Sequence, residues 1–166
     1  MERWDTYFKD GSKSDLVVTK GTKLPAGHYH IVVETLIRHA DGTYLVMQRD
    51  LNKKEFPGLY EGSAGGSIIA GETKVAGAIR EVREETGLII NSVTPTYYFI
   101  SESKGVISQG YIASISGNKD IKYLKGETIS HKWLTLEELK TFILSEAYNP
   151  EHRKRLKTYL DTLKDK

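Results

Sequence analysis

Through most of this chain the apolar residues come in short runs or alternate with polar ones, and three stretches switch to helical spacing. His30 to Arg38 is rich in β-branched and apolar residues, Asp41-Gly42 supplies a two-residue turn, and Thr43 to Arg49 continues as the partner strand. Upstream, Trp4–Phe8 and Leu16–Lys20 read as two short strands joined by Asp10-Gly11-Ser12. They predict an N-terminal β-hairpin extension over residues 1–27, packed on the body or on a second subunit, with Asp5 and Asp10 at surface and turn positions. Leu51 to Gly58 is a polar loop ending in Phe56-Pro57-Gly58, and Leu59 to Ala64 is a short strand that delivers the chain to Gly65. Val93–Ser101 and Val106–Ser116 follow as strands with Gly105 at their turn, and Ile129–Leu134 is a final strand. Tyr97, Tyr98 and Phe99 share one of these strands, so alternation buries at least one of them.

The helical stretches begin with Val75, Ile79 and Val82, where Thr73 is suited to the N-cap and Gly87 to the position just past the end. A second runs from Leu136 to Leu144 after Thr135. Pro150 then breaks the chain, and Leu156, Tyr159, Leu160 and Leu163 recur at 3.6-residue spacing in a last helix. Strands in the middle with helices at 73–86, 136–146 and 151–164 read as a single α+β domain.

The first helix also carries Glu81, Glu84 and Glu85 at i, i+3 and i+4, away from its apolar stripe. Three carboxylates so placed repel one another unless a cation sits among them. A hard divalent ion suits them, because magnesium and manganese take oxygen ligands and leave positions open for water and phosphate. The Gly65-Gly66 pair, with no Cβ, lets backbone carbonyls approach the same ion. A glutamate-rich helix surface is ordinarily a solvated face. Here, however, Gly66, Glu72, Arg80, Glu81, Glu84, Glu85 and Gly87, with apolar Val82 and Leu88, fill every fixed position of G-x5-E-x7-R-E-U-x-E-E-x-G-U, where U is apolar. At roughly 7% usage per letter, chance would produce that match about once in ten million chains of this length.

Composition narrows the chemistry further. The chain has no cysteine, which excludes disulfides, a thiolate nucleophile and cysteine-ligated metal centres. A net charge of +2 gives no argument for nucleic-acid binding, and the basic surplus is concentrated in residues 151–166. No apolar run approaches a membrane span, so no membrane partner and a cytoplasmic location are expected.

The stretch from Gly66 to Leu88 is the Nudix box, and the chain resembles the Nudix hydrolase family over about residues 27–139. The resemblance implies an αβα sandwich, a mixed β-sheet with helices on both faces, and the strand-rich middle and the three helices are consistent with it. The resemblance implies magnesium-dependent cleavage, with manganese as an alternative ion, of the diphosphate linkage in a nucleoside diphosphate joined to another group X. By residue it implies Glu84 and Glu85 as metal ligands, Glu81 as a further ligand or the general base, and Arg80 with Glu72 as the pair that orients the cluster. The carbonyl of Gly65 or Gly66 is a further ligand in this reading, and Glu127, with Glu102 as second choice, is the acid supplied from after the box. Arg49, Lys53 and Lys54 are candidates to hold the phosphates of a small, nucleotide-derived diphosphate substrate, Arg49 through a bidentate fork. The N-terminal hairpin is compatible with a homodimer. Residues 30–60 also resemble isopentenyl-diphosphate isomerase, a fold relative, but its cysteine position is Ala64 here. Of its metal-binding histidine positions only one is filled, by His30, while Lys23 and Gly66 stand at others. A third possibility is a non-catalytic nucleotide sensor on the same scaffold. His30 by itself reads as a hydrogen-bonded strand residue.

Overall fold

A computed structural model describes residues 1–164. In chain order the elements are β1 (Arg3–Tyr7), β2 (Lys13–Thr19), β3 (His30–His39), β4 (Tyr44–Arg49), β5 (Tyr60–Glu61), β6 (Ala64–Ser67), α1 (Lys74–Thr86), β7 (Thr94–Ser101), β8 (Val106–Ile115), β9 (Thr128–Leu134), α2 (Leu136–Phe142) and α3 (Pro150–Leu160). β1 and β2 form a separate antiparallel hairpin, while the main sheet runs β5-β4-β3-β8-β7, with β6 also on β3 and β9 also on β4. β3 and β8 are parallel from His30–Val106 to His39–Ile115, and the other pairings are antiparallel, so the sheet is mixed as expected.

The alternation of side chains along β3 and β4 decides the layers. Leu36, Tyr44 and Val46 join Leu139 of α2 and Leu156 and Leu160 of α3 in one core, while Ile37, Leu45 and Met47 join Val82 of α1 in another. Helices therefore cover both faces, giving the αβα sandwich. Asp41-Gly42 makes the expected turn, but β3 and β4 pair only at Ile37–Leu45 and Arg38–Tyr44. Beyond those positions β6 takes the same edge of β3, from Val32–Ser67 to Thr35–Ala64, and β4 leaves to pair with β5 and β9. The divergence opens a gap beside Gly65 and Gly66. The expected strand from Leu59 to Ala64 is split accordingly into β5 and β6.

Helix α1 is capped as its sequence implies. Thr73 accepts from the Ala76 N–H, and Gly87, at φ 75°, donates to the Arg83 carbonyl. Its buried stripe differs from the expected one: Ala78, Val82 and Thr86 are buried, whereas Val75 is 45% exposed. Residues four apart lie nearly one above another on a helix, so Gly77, Glu81 and Glu85 form the next row round, and that row faces β6. Pro150 does not interrupt a helix but opens one, standing just inside α3 after the N-cap Asn149, where a missing N–H costs nothing.

The hairpin packs on the body rather than standing free. Tyr7 and Tyr29 exchange backbone hydrogen bonds of 2.8 and 2.9 Å, and Trp4 stacks on His30 with ring centroids 4.2 Å apart. Asp10 caps its turn by accepting from the Ser12 N–H. Asp5 is not at the surface: it is 3% exposed, and its carboxylate accepts from the Gly71 N–H at 2.7 Å and pairs with Lys13 at 2.9 Å.

Candidate active site

Arg80 is the hub of the carboxylate helix. Its Nε and Nη2 donate to the two oxygens of Glu72 at 2.7 and 2.9 Å, a bidentate fork, and Nη2 also reaches the Ser67 carbonyl at 3.2 Å. The remaining nitrogen, Nη1, donates to Glu81 at 2.8 Å and to Glu84 at 3.2 Å. Glu72 is reached in turn by the Ile69 N–H at 3.0 Å. Burial works against ionisation of Glu72, yet the Arg80 fork and that N–H outweigh it and hold the carboxyl below its ordinary range. The contacts from Glu72 raise the Arg80 guanidinium in turn, so it stays charged at any working pH.

Glu81 and Glu85, one turn apart, behave differently. Burial lifts the Glu81 carboxyl above its usual value despite Arg80, and Glu84 adds to the effect. Burial, then the charge of Glu81, lifts Glu85 well above the usual range, with Glu61 and Glu127 contributing, although Glu85 accepts the Gly65 N–H at 3.2 Å. Glu81 lies directly over Gly66: a Cβ there would fall 2.4 Å from its Oε1. Gly66 is thus required by close approach, and the cradle it forms holds a carboxylate.

The donor set fits a hard divalent cation. It offers carboxylate oxygens only, two of them lifted in pKa by burial and mutual repulsion, which an added positive charge would relieve. As they stand, the carboxylates are gathered on Arg80, and no three His, Asp or Glu side chains among the described residues converge on one point. Glu84 is 50% exposed and held by the single 3.2 Å contact, so it can turn away from Arg80 at little cost.

The other expected residues lie in different places. Arg49 lines a cavity of about 220 Å³ beside Gly65 and Gly66, where it donates to Glu61 at 2.7 Å and to the Glu55 carbonyl at 3.1 Å. Lys53 pairs with Glu127 at 2.5 Å, so Glu127 points toward the loop lysine, close enough to the helix for its charge to be felt at Glu85. Lys54 is exposed. Glu102 is on the turn after β7, where Lys9 of the hairpin engages it, apart from the cluster on Arg80. Of the three neighbouring aromatics, Tyr97 is buried while Tyr98 and Phe99 are exposed.

Sequence reasoning missed the far wall of that cavity. Glu34 on β3 is bound by Arg155 of α3, whose Nε donates at 2.9 Å, and by the Tyr97 hydroxyl at 2.6 Å. Burial opposes its charge, but His152, Arg155 and Tyr97 keep the carboxyl ionised below the usual range. His152 is buried against the Tyr148 hydroxyl at 2.8 Å, and Asn149 donates to Glu61 at 3.2 Å. The signals were present: Glu34 interrupts an apolar strand, and His152 and Arg155 stand at i and i+3 on the stripe that buries Leu156. A second cavity, of about 840 Å³, shares Glu34 and Arg155 with the first and is bordered by Phe99, Lys104 and Lys154.

The NUDIX domain family matches residues 28–159, most of the chain. This protein belongs to that family. An uncharacterised Nudix hydrolase of Listeria monocytogenes is 29% identical to this Nudix protein over 151 residues, 90% of this chain and 89% of that one. Isopentenyl-diphosphate Delta-isomerase of Citrobacter koseri is 28% identical over 116 residues, 65% of this chain and 63% of that enzyme. The crystal structure of a Deinococcus radiodurans protein, 21% identical, superposes with a TM-score of 0.73 over 95% of this chain and 99% of its own, which shows the shared fold. No helix among the described residues of this Nudix protein is long and apolar enough to cross a membrane.

Proposed function

We propose that this protein is a hydrolase of diphosphate linkages in nucleoside diphosphates joined to another group, working with Mg²⁺ or Mn²⁺ held by Glu84 and Glu85, with Glu81 as the general base. The reading is carried by one observation: the motif glutamates Glu72, Glu81 and Glu84 meet at Arg80, while Glu85 is fixed to the Gly65 N–H on the wall of the charged cavity. A divalent ion bound there would neutralise phosphate oxygens and lower the pKa of a bound water.

Water attacks one phosphorus, the bridging P–O bond breaks, and two phosphate compounds leave. Glu81 is suited to take the proton of the attacking water, because its carboxylate is held by Arg80 over Gly66 and burial lifts its pKa above the usual carboxylate value. Arg80 and Glu72 act by orientation: the fork fixes the guanidinium that in turn fixes Glu81. Glu127, paired with Lys53, adds a negative charge that is felt at Glu85. Arg49 lies where the phosphates would pass and supplies a fork in the cavity wall once Glu61 shares it. The organic portion then runs past Arg155 toward Phe99 in the larger cavity, whose exposed ring offers a stacking face.

Isomerisation, suggested by the isomerase relatives, has weaker support. Ala64 carries no proton to give, the chain lacks cysteine, and the cavity floor is ionic where an alkenyl tail would need an apolar slot. A nucleotide sensor is disfavoured because it has no need of the full carboxylate set. Incubation with Mg²⁺ and a panel of nucleoside diphosphate derivatives, and with isopentenyl diphosphate, separates the three. Release of two phosphate compounds, cut by orders of magnitude in Glu84→Gln with the fold intact, is expected. Equal rates in that variant, double-bond migration, or tight binding without turnover would overturn the proposal.

A further inference from the structure

The region matched by the family begins at residue 28, yet the closest support of the box loop comes from before it. Loop 68–72 carries Glu72, and two of its N–H groups point outward to β1: Ala70 donates to the Arg3 carbonyl at 2.8 Å and Gly71 to Asp5 at 2.7 Å. On its inner side the loop is held by Ile68, which is fully buried, and by its own bonds between Ile69 and Glu72. β1 is itself pinned to the body by the Trp4–His30 stack and the Tyr7–Tyr29 bonds, and to β2 by the pair between buried Asp5 and half-exposed Lys13. From Asp5 a continuous chain of contacts therefore runs through Gly71 and Glu72 to Arg80, and from Arg80 to Glu81 and Glu84.

We propose that the N-terminal hairpin is part of the catalytic architecture, with Asp5 as a positioning residue that sets the metal site through the box loop. The inference rests on reading the carboxylate helix as a divalent-cation site. Without the Asp5 carboxylate the Gly71 N–H turns to water and the loop keeps only one of its two outer fixed points, the Ala70 bond to the Arg3 carbonyl, which lies one residue further from Glu72. Glu72 then no longer meets Arg80 at one place, and the carboxylates that Arg80 orients spread over several positions. Outer groups of this kind change metal affinity without touching the metal.

The test measures Mn²⁺ binding to the full chain by the loss of its free-ion electron paramagnetic resonance signal, alongside melting temperature. Asp5→Ala should raise the Mn²⁺ Kd about tenfold. Asp5→Asn, which keeps an oxygen for the Gly71 N–H, should recover most of that loss. Lys13→Met removes the exposed half of the ion pair but not the loop bond, and should leave the Kd within about twofold. In the unaltered protein, amide exchange at Ala70 and Gly71 should be slow. A lowered melting temperature with an unchanged Kd in Asp5→Ala would overturn the proposal. So would exchange at the rate of an open loop, a result that does not depend on any variant folding. If the unaltered protein itself binds no Mn²⁺, the metal reading falls and takes this one with it, an outcome distinct from the other two.

Discussion

Replacing Gly66 with Ala should separate activity from stability more cleanly than any other change near the site. The added Cβ would fall 2.4 Å from Oε1 and 2.6 Å from Cδ of Glu81. An ordinary contact needs about 3.5 Å, so the carboxylate must retreat by about 1 Å. The obstacle is the tip of a flexible side chain, so the backbone can stay in place. Displacing Glu81 weakens one hydrogen bond to Arg80, whose fork on Glu72 stays in place, at a cost of about 1 kcal/mol. Stiffening of the unfolded chain by alanine returns about 0.5 kcal/mol. The melting temperature should therefore move by no more than about 3 °C for a chain of this size. Catalysis should suffer far more, because a misplacement of about 1 Å at a reacting group can cost about a hundredfold. The assay is kcat/KM with saturating Mg²⁺ on whichever nucleoside diphosphate derivative the unaltered enzyme cleaves, with a thermal melt of the same sample. Undiminished turnover would show that Glu81 has no part in the chemistry. A melting temperature lower by 10 °C or so would show that Gly66 is needed for the strand rather than for the carboxylate.

Arg155→Met should be mainly a stability variant: Glu34 and Arg155 are only 12% and 19% exposed, and a charge stranded in the cavity wall costs about 3–5 kcal/mol. A fall of about 10 °C in melting temperature is expected, and an unchanged melt would mean that water reaches the pair freely. His30 supplies a pH dependence. Burial against Trp4 holds its imidazole down to about 4, below its ordinary 6.5, so the folded state resists protonation. Its contribution is complete above pH 6.5 and is lost as the pH falls from there through 4. Thermal melts of the unaltered protein should decline across that window more steeply than those of His30→Gln, with buried His152 adding to the decline in both. Parallel curves would refute the account.

Much of the candidate site was legible because its geometry is local. Thr73, Glu81, Glu84, Glu85 and Gly87 lie within one helix, where a 3.6-residue period fixes which side chains share a face. The same locality fixed the strand–turn–strand at Asp41-Gly42, while the sandwich followed from the resemblance that the box carries. It failed where a choice depended on a distant partner. Val75 has the spacing of a buried residue, but the sheet meets the helix at Ala78 and Val82. Asp5 looked like a surface acid until the fold carried Gly71 to it across 66 positions. Glu34 and Arg155, 121 residues apart, could be seen separately as a polar interruption in a strand and a cation on an apolar stripe, but not as one pair.

The sequence alone determined which carboxylates are crowded together, since those on successive turns of one helix repel each other whatever surrounds them. Only the tertiary structure decided what stands around those groups. Arg80 becomes a hub because β6 brings Ser67 to it and the loop brings Glu72. The cavity exists because β4 parts from β3 after two residue pairs, and α3 closes it with a buried ion pair. Contacts across long loops are set by the packing of whole layers, and no short stretch of sequence records that packing.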